Sequence, residues 1–262
     1  MPRSSCACCA DLLAVIAVVG KKGAALVDAM ELLEAVGLGT LAQSSLLFAG
    51  LLVCWVTVPT RLVGILAGFG AGAMISAIAF DLVPESQADI EEWQTTLWML
   101  IGVTIFLLGD RLVDKRFGSE GAGGSMGIVV GSVVDGVPES IIFGIQVGIG
   151  ATISASFVAA VFVSNIPQAI APSADLAANG WGVRRLGRLW LLVVLACGVA
   201  AGLGYLATLA LPGAYGDRAA ALAAGGLLAM LTNSLMPFAY ERGKEWAGAA
   251  TVVGFCVALL GA

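Results

Sequence analysis

Apolar residues in this chain fall in long runs, not in the short alternating patterns of a soluble fold. After Glu34 the runs lie near 41–58, 62–80, 93–109, 127–146, 153–171, 189–211, 219–240 and 246–261. Each has about the 17 to 25 residues that a helix needs to cross a bilayer. The breaks between them carry the turn and charge signals: Pro59 with Arg61, an acidic loop with Asp89, Glu91 and Glu92, a glycine-rich linker at 118–125, and the tight turn Gly148 to Gly150. Eight transmembrane helices are the expectation.

Upstream, the apolar run at 12–20 is too short to span. Between 24 and 36 the period changes: Leu26, Val27, Met30, Leu33 and Val36 recur at helical spacing, while Asp28, Glu31 and Glu34 fall mainly elsewhere. That pattern predicts an amphipathic helix lying at the membrane interface. The expected organisation is therefore a tail and interfacial helix over 1–40, followed by a transmembrane domain over 41–262.

Composition agrees with the runs. Apolar residues make up 59% of the 262 and charged residues only 12%, about half the charge of a soluble domain. The net charge of −5 resides in loops and says little about partners, and no Lys/Arg cluster alternates with aromatics as a nucleic-acid face would. Nine of the 13 Lys and Arg (Arg61, Arg111, Lys115, Arg116, Arg184, Arg185, Arg188, Arg242 and Lys244) fall on one side of an eight-span topology. By the positive-inside rule that side is cytoplasmic and both termini are outside. Of the six cysteines, Cys54, Cys197 and Cys256 sit in apolar runs and read as small hydrophobes. Cys6, Cys8 and Cys9 form a tail cluster of soft-metal type, lacking a fourth ligand.

An internal repeat constrains the layout further. Residues 71–86 align without a gap on 224–239, with the Ala-Gly start and the proline (Pro84, Pro237) in register. These are the second and seventh spans, which cross in opposite directions. Inverted repeats of three helices around a central helix pair are a transporter pattern.

Charge inside the runs marks the candidate chemistry. Residues 140–174 contain no Asp, Glu, Lys or Arg, yet Asp135 and Glu139 stand just before them, four residues apart with Pro138 between. One helical turn separates the two acids, so they share a face. Carboxylates there require a cation, protons or water. Four spans repeat the device of a proline beside polar positions: Asp81 with Pro84 and Glu85; Asp135 with Pro138 and Glu139; Ser164 and Asn165 with Pro167 and Gln168; Asn233 and Ser234 with Pro237. Each proline frees the carbonyl four residues earlier, which in hydrocarbon needs another partner. The short turn between the fourth and fifth spans makes them neighbours, so Asp135 and Glu139 are expected to face Ser164 and Gln168. Asp110 and Asp114, beside Arg111 and Lys115, read instead as interfacial ion pairs.

From about residue 41 to the C-terminus the chain resembles the ZIP (Zrt/Irt-like) family of divalent-metal transporters. The fourth-span motif His-Asn-x-Pro-Glu-Gly corresponds to residues 135–140, the fifth-span motif His/Gln-x-x-Pro-Glu-Gly to 164–169, and the second-span Asp-Leu-Leu-Pro-Glu to 81–85. Asp135 replaces the first histidine, Gln168 replaces the fifth-span glutamate, the seventh-span acids are Asn233, Ser234 and Phe238, and the chain contains no histidine. The resemblance implies a carrier, not an enzyme, in the plasma membrane. It implies alternating access, with the two repeats rocking against the central pair, and no prosthetic group. The divalent ion (Zn²⁺, Mn²⁺ or Fe²⁺) is the transported substrate. The implied ligands are Asp135, Glu139, Ser164 and Gln168, with Asn165 nearby and Asp81 and Glu85 as outer candidates. All are oxygen or amide donors, which favours Mn²⁺, Fe²⁺ or even Mg²⁺ relative to a histidine site. The lipid bilayer and the ion are the expected partners, with a homodimer left open and no nucleic acid. The lost ligands motivate one alternative, a transport-inactive homologue with a structural or sensing role. An intramembrane aspartyl protease needs Gly-x-Gly-Asp, and the nearest segment, 107–110, has leucine at the first glycine.

Overall fold

The computed structural model describes the backbone of residues 5–88, 90–117, 125–151, 153–210 and 215–261. Side chains are described from Asp28 onward, except at 113–114, 116–132, 134–135, 210 and 215 and in the gaps. The linker at 118–124 and the side chains of Cys6, Cys8, Cys9 and Asp135 thus lie outside the described residues. Every element among the described residues is helical. In chain order, α1 is Ser5–Leu52; α2 is Thr60–Ala77, continued by a π-helical turn Ile78–Leu82 and by Val83–Glu85; α3 is Glu92–Phe117; and α4 is Ser125–Gly148. Then come α5, Ala155–Ala178, and α6, Val183–Ala210. Last are α7, Tyr215–Met230, continued by a π-helical turn Leu231–Leu235 and by Met236–Gly243, and α8, Glu245–Leu259.

Among the described residues six helices are long and apolar enough to cross a membrane: Asp28–Leu52 of α1, α2, α3, α5, α6 and α7, while α8 is a shorter apolar helix. The protein is an integral membrane protein. Three local differences from the sequence expectation have plain causes. The interfacial helix and the first span form one continuous helix, α1, with no proline to break it. That helix stops at Leu52, before the apolar run does, because Val56, Thr57 and Val58 are β-branched and precede Pro59. Arg184, Arg185 and Arg188 occupy the first turns of α6, not a loop.

Both π-helical turns precede a proline. The Val83 N–H bonds to the Ile78 carbonyl and the Met236 N–H to the Leu231 carbonyl, each five residues back. Pro84 and Pro237 cannot donate and crowd the carbonyl four residues earlier, and a wider turn accommodates both effects. Pro138, Pro167 and Pro172 lie inside helices that stay α.

The helices pack in two groups. In one, α1 lies against α4, α5 and α6, and α4 against α5 and α6; in the other, α2 lies against α7 and α8, and α3 against α7. The groups meet where α2 packs on α5 and α4 on α7. Glycine permits the closest crossings: a Cβ at Gly72 would strike the Thr251 carbonyl on α8, and one at Gly225 the Met99 carbonyl on α3. The turn from α4 to α5 closes as a Schellman motif, with Gly150 at φ +71°, the Gly150 N–H on the Val147 carbonyl and the Ala151 N–H on the Gln146 carbonyl. It is short, so the polar faces of α4 and α5 are held side by side.

Candidate functional site

The interior of the first group is polar at one level. Gln43 of α1 is fully buried, and its Nε2 donates to Glu139 Oε2 at 2.9 Å. Its Oε1 accepts from Asn165 Nδ2 at 2.9 Å, so one amide ties α1, α4 and α5 together. Glu139 has no exposed surface, and its other oxygen, Oε1, has no hydrogen-bond partner among the described residues. Asn165 Oδ1 and both polar atoms of Gln168 are likewise enclosed and without partners. Gln168 follows Asn165 by three residues, on the same face of α5. Ser140 is also buried, but its hydroxyl donates to the Gly136 carbonyl at 2.8 Å within its own helix. Ser164 is spent the same way, on the Val161 carbonyl at 2.9 Å.

A second polar group sits about two turns along α4, roughly 10 Å away by helical rise. Gln146 Nε2 donates to Glu85 Oε2 at 2.8 Å. The Ser154 hydroxyl, which caps α5 by accepting from the Phe157 N–H, donates to Asp81 Oδ2 at 2.6 Å. Asp81 lies in the π-helical turn of α2 and Glu85 just beyond Pro84, so the widened turn aims both acids at the α4–α5 connection. Gln146 Oε1 is buried there without a partner among the described residues.

The seven candidate residues therefore separate. Glu139 and Asn165 meet through Gln43, with Gln168 buried on the same face of α5 as Asn165, whereas Ser164 packs against Gly70 of α2 and Asp81 and Glu85 belong to the outer group. Asp135 lies on α4 one turn before Glu139, its side chain outside the described residues. Asn233 is exposed on α7, away from the enclosed amides. Gln43 was missed by sequence reasoning. Its signal was present, as the one amide in an otherwise apolar run that also holds Ser44 and Ser45. An apolar groove of about 870 Å³ between α1 and α5 is separate from both groups; its polar residues are Glu31 and Glu34.

Chemically, the inner site presents one carboxylate and several amide groups in a space without water access. Glu139's bonded partner is an amide and not a base, so its negative charge is uncompensated. An enclosed carboxylate of this kind holds a proton or a cation. Among the described residues no three His, Cys, Asp or Glu side chains converge, so a cation here would draw on amide oxygens as well. No protein-family model matches the chain, and no curated protein is significantly similar to it.

Proposed function

We propose that this protein is a ZIP-like carrier moving a divalent cation (zinc, manganese or iron class) inward across the plasma membrane. The observation that carries this reading is Glu139: fully buried, half-bonded, and facing unpartnered amide atoms from a neighbouring helix. The outer group of Asp81, Glu85 and Gln146 gives a cation a first oxygen-rich stop on the path toward it.

The packing supports an eight-span inverted repeat. Exchanging α1 with α6, α2 with α7, α3 with α8 and α4 with α5 turns the α2–α8 contact into α7–α3 and the α1–α5 contact into α6–α4, and all four contacts occur. The aligned segments also agree in detail: Ile78–Leu82 and Leu231–Leu235 coincide in register, as do Gly72 and Gly225 at their crossings. The basic ends support the orientation, with Arg185 over Trp181 at 3.6 Å, Arg242 over Phe238 at 3.8 Å and Arg61 over Trp246 at 5.6 Å, as interfacial anchors. Each packing group draws helices from both halves. Alternating access is then a displacement of α1, α4, α5 and α6, which carry Gln43, Glu139 and Asn165, against the α2–α7 wall. It replaces a rocking of the repeats themselves.

Uptake of Zn²⁺ and Mn²⁺ into vesicles containing the purified protein tests the reading. Glu139→Ala is expected to abolish uptake and Asp81→Ala to weaken it. Equal losses would show that Glu139 is not the primary site. A stably folded protein that binds and moves no cation would favour the transport-inactive alternative.

A further inference from the structure

Cys197 on α6 fills more than space. Its side chain has no exposed surface. One side packs in an apolar cluster with Leu46, Ala49 and Val194. The other side faces Gly136: a Cβ built there would meet Cys197 Sγ at 3.2 Å and Gln43 Oε1 at 3.0 Å. The absence of a side chain at 136 is what admits the thiol and the Gln43 amide to the same wall of α4. The Gln43 amide that shares this wall with the sulfur is the one that donates to Glu139 Oε2 at 2.9 Å. The buried Glu139 Oε1, which has no hydrogen-bond partner among the described residues, is the independent sign that this space is built for a ligand.

We infer that Cys197 is a soft ligand of the inner site, joining Glu139 to hold a borderline or soft divalent ion such as Zn²⁺ or Cd²⁺. The inference rests on the reading of that site as a cation site and names its class of substrate. Oxygen and amide donors alone would favour hard ions. A thiolate reverses that preference, because sulfur binds Zn²⁺ and Cd²⁺ far better than Mn²⁺ or Mg²⁺. Charge balances as well. One carboxylate and one thiolate neutralise a divalent ion, and as the metal–sulfur bond forms the thiol proton leaves on a water shed by the entering hydrated ion. The amide oxygens of Asn165 and Gln168 supply neutral donors on the facing helix.

The test uses the full-length chain with Cys6, Cys8, Cys9, Cys54 and Cys256 each replaced by Ser, so that Cys197 is the remaining thiol. Titration with Cd²⁺ is expected to produce a thiolate-to-metal charge-transfer absorption that saturates at one equivalent. Adding Cys197→Ser should remove the absorption and weaken Cd²⁺ binding about tenfold or more, with Mn²⁺ affinity changed less than about threefold. Cys197→Ala, which places no hydroxyl against the apolar cluster, gives the same comparison should the serine variant lose helicity. Cd²⁺ binding without the absorption, yet lost in Glu139→Gln, would overturn the role of Cys197 and leave the cation site standing. Failure of Cd²⁺, Zn²⁺ and Mn²⁺ alike to bind the folded protein would overturn both.

Discussion

Gln43→Leu is the sharpest probe of the three-helix junction. Leucine occupies a similar volume, so the change removes polar ties and leaves little void. Two bonds of 2.9 Å are lost, leaving Glu139 Oε2 and Asn165 Nδ2 without partners beside atoms that already lack them. In a water-soluble core each orphaned group costs about 1–3 kcal/mol. Side-chain bonds within membrane proteins average nearer 0.6 kcal/mol, with a maximum of about 1.7. The two ties together are therefore expected to be worth about 1–3 kcal/mol. For a chain of this size 1 kcal/mol moves Tm by about 2–4 °C, so the shift should lie between about 2 and 12 °C. Thermal unfolding of the detergent-solubilised protein, followed by helical circular dichroism at a fixed scan rate, measures it. A cycle with Asn165→Leu isolates the shared bond, and a coupling of about 0.5–1.5 kcal/mol is expected. Strict additivity with a Tm unchanged within about 1 °C would refute the junction.

Two further expectations concern packing. Gly72→Ala and Gly225→Ala should each cost about 1–3 kcal/mol, since the new methyl meets backbone carbonyl atoms of Thr251 and Met99, which cannot move aside. Gly37→Ala, with nothing within 4 Å, should stabilise α1 slightly, and the three Tm values compared directly decide whether contact or propensity governs. Ser173→Ala removes the acceptor for Trp190 Nε1, now 2.7 Å away and fully buried, and should lower Tm by the equivalent of about 1–2 kcal/mol.

Of the eight spans expected, the six helices long and apolar enough to cross a membrane among the described residues were legible because hydropathy at bilayer length is a one-dimensional property. The lengths expected for α5, α6 and α7 differ from those observed mainly at their ends, where the helix continues past the apolar run, as through Arg184 in α6 and Glu241 in α7. Helix continuity was less legible. The change of pattern near residue 36 marks a change in surroundings, and α1 runs through it unbroken. Glu139 was legible as a charge with no local answer. Its partner was not, since the distance from Gln43 in sequence is 96 residues and nothing in either segment encodes the pairing. Ser164 shows the converse. It has the spacing of a ligand, but a serine in a helix can bond the carbonyl three residues back, and here it does. Cys197 reads as apolar because its neighbours in sequence are apolar; its neighbour in space is the bare backbone at Gly136.

The widened turns before Pro84 and Pro237 carry a consequence for how such helices tolerate insertion and deletion. A π-helical turn is an α-helix holding one surplus residue. Removing a residue within Ile78–Leu82 would restore α geometry and swing everything beyond it by about 100° around the helix axis. Glu85 would then leave Gln146, although no side chain in the outer group had been altered. The length of that turn is thus as much a determinant of where the acids point as the acids themselves. A π-helical turn of the same length lies in α7, where the positions aligned with Asp81 and Glu85 are Ser234 and Phe238.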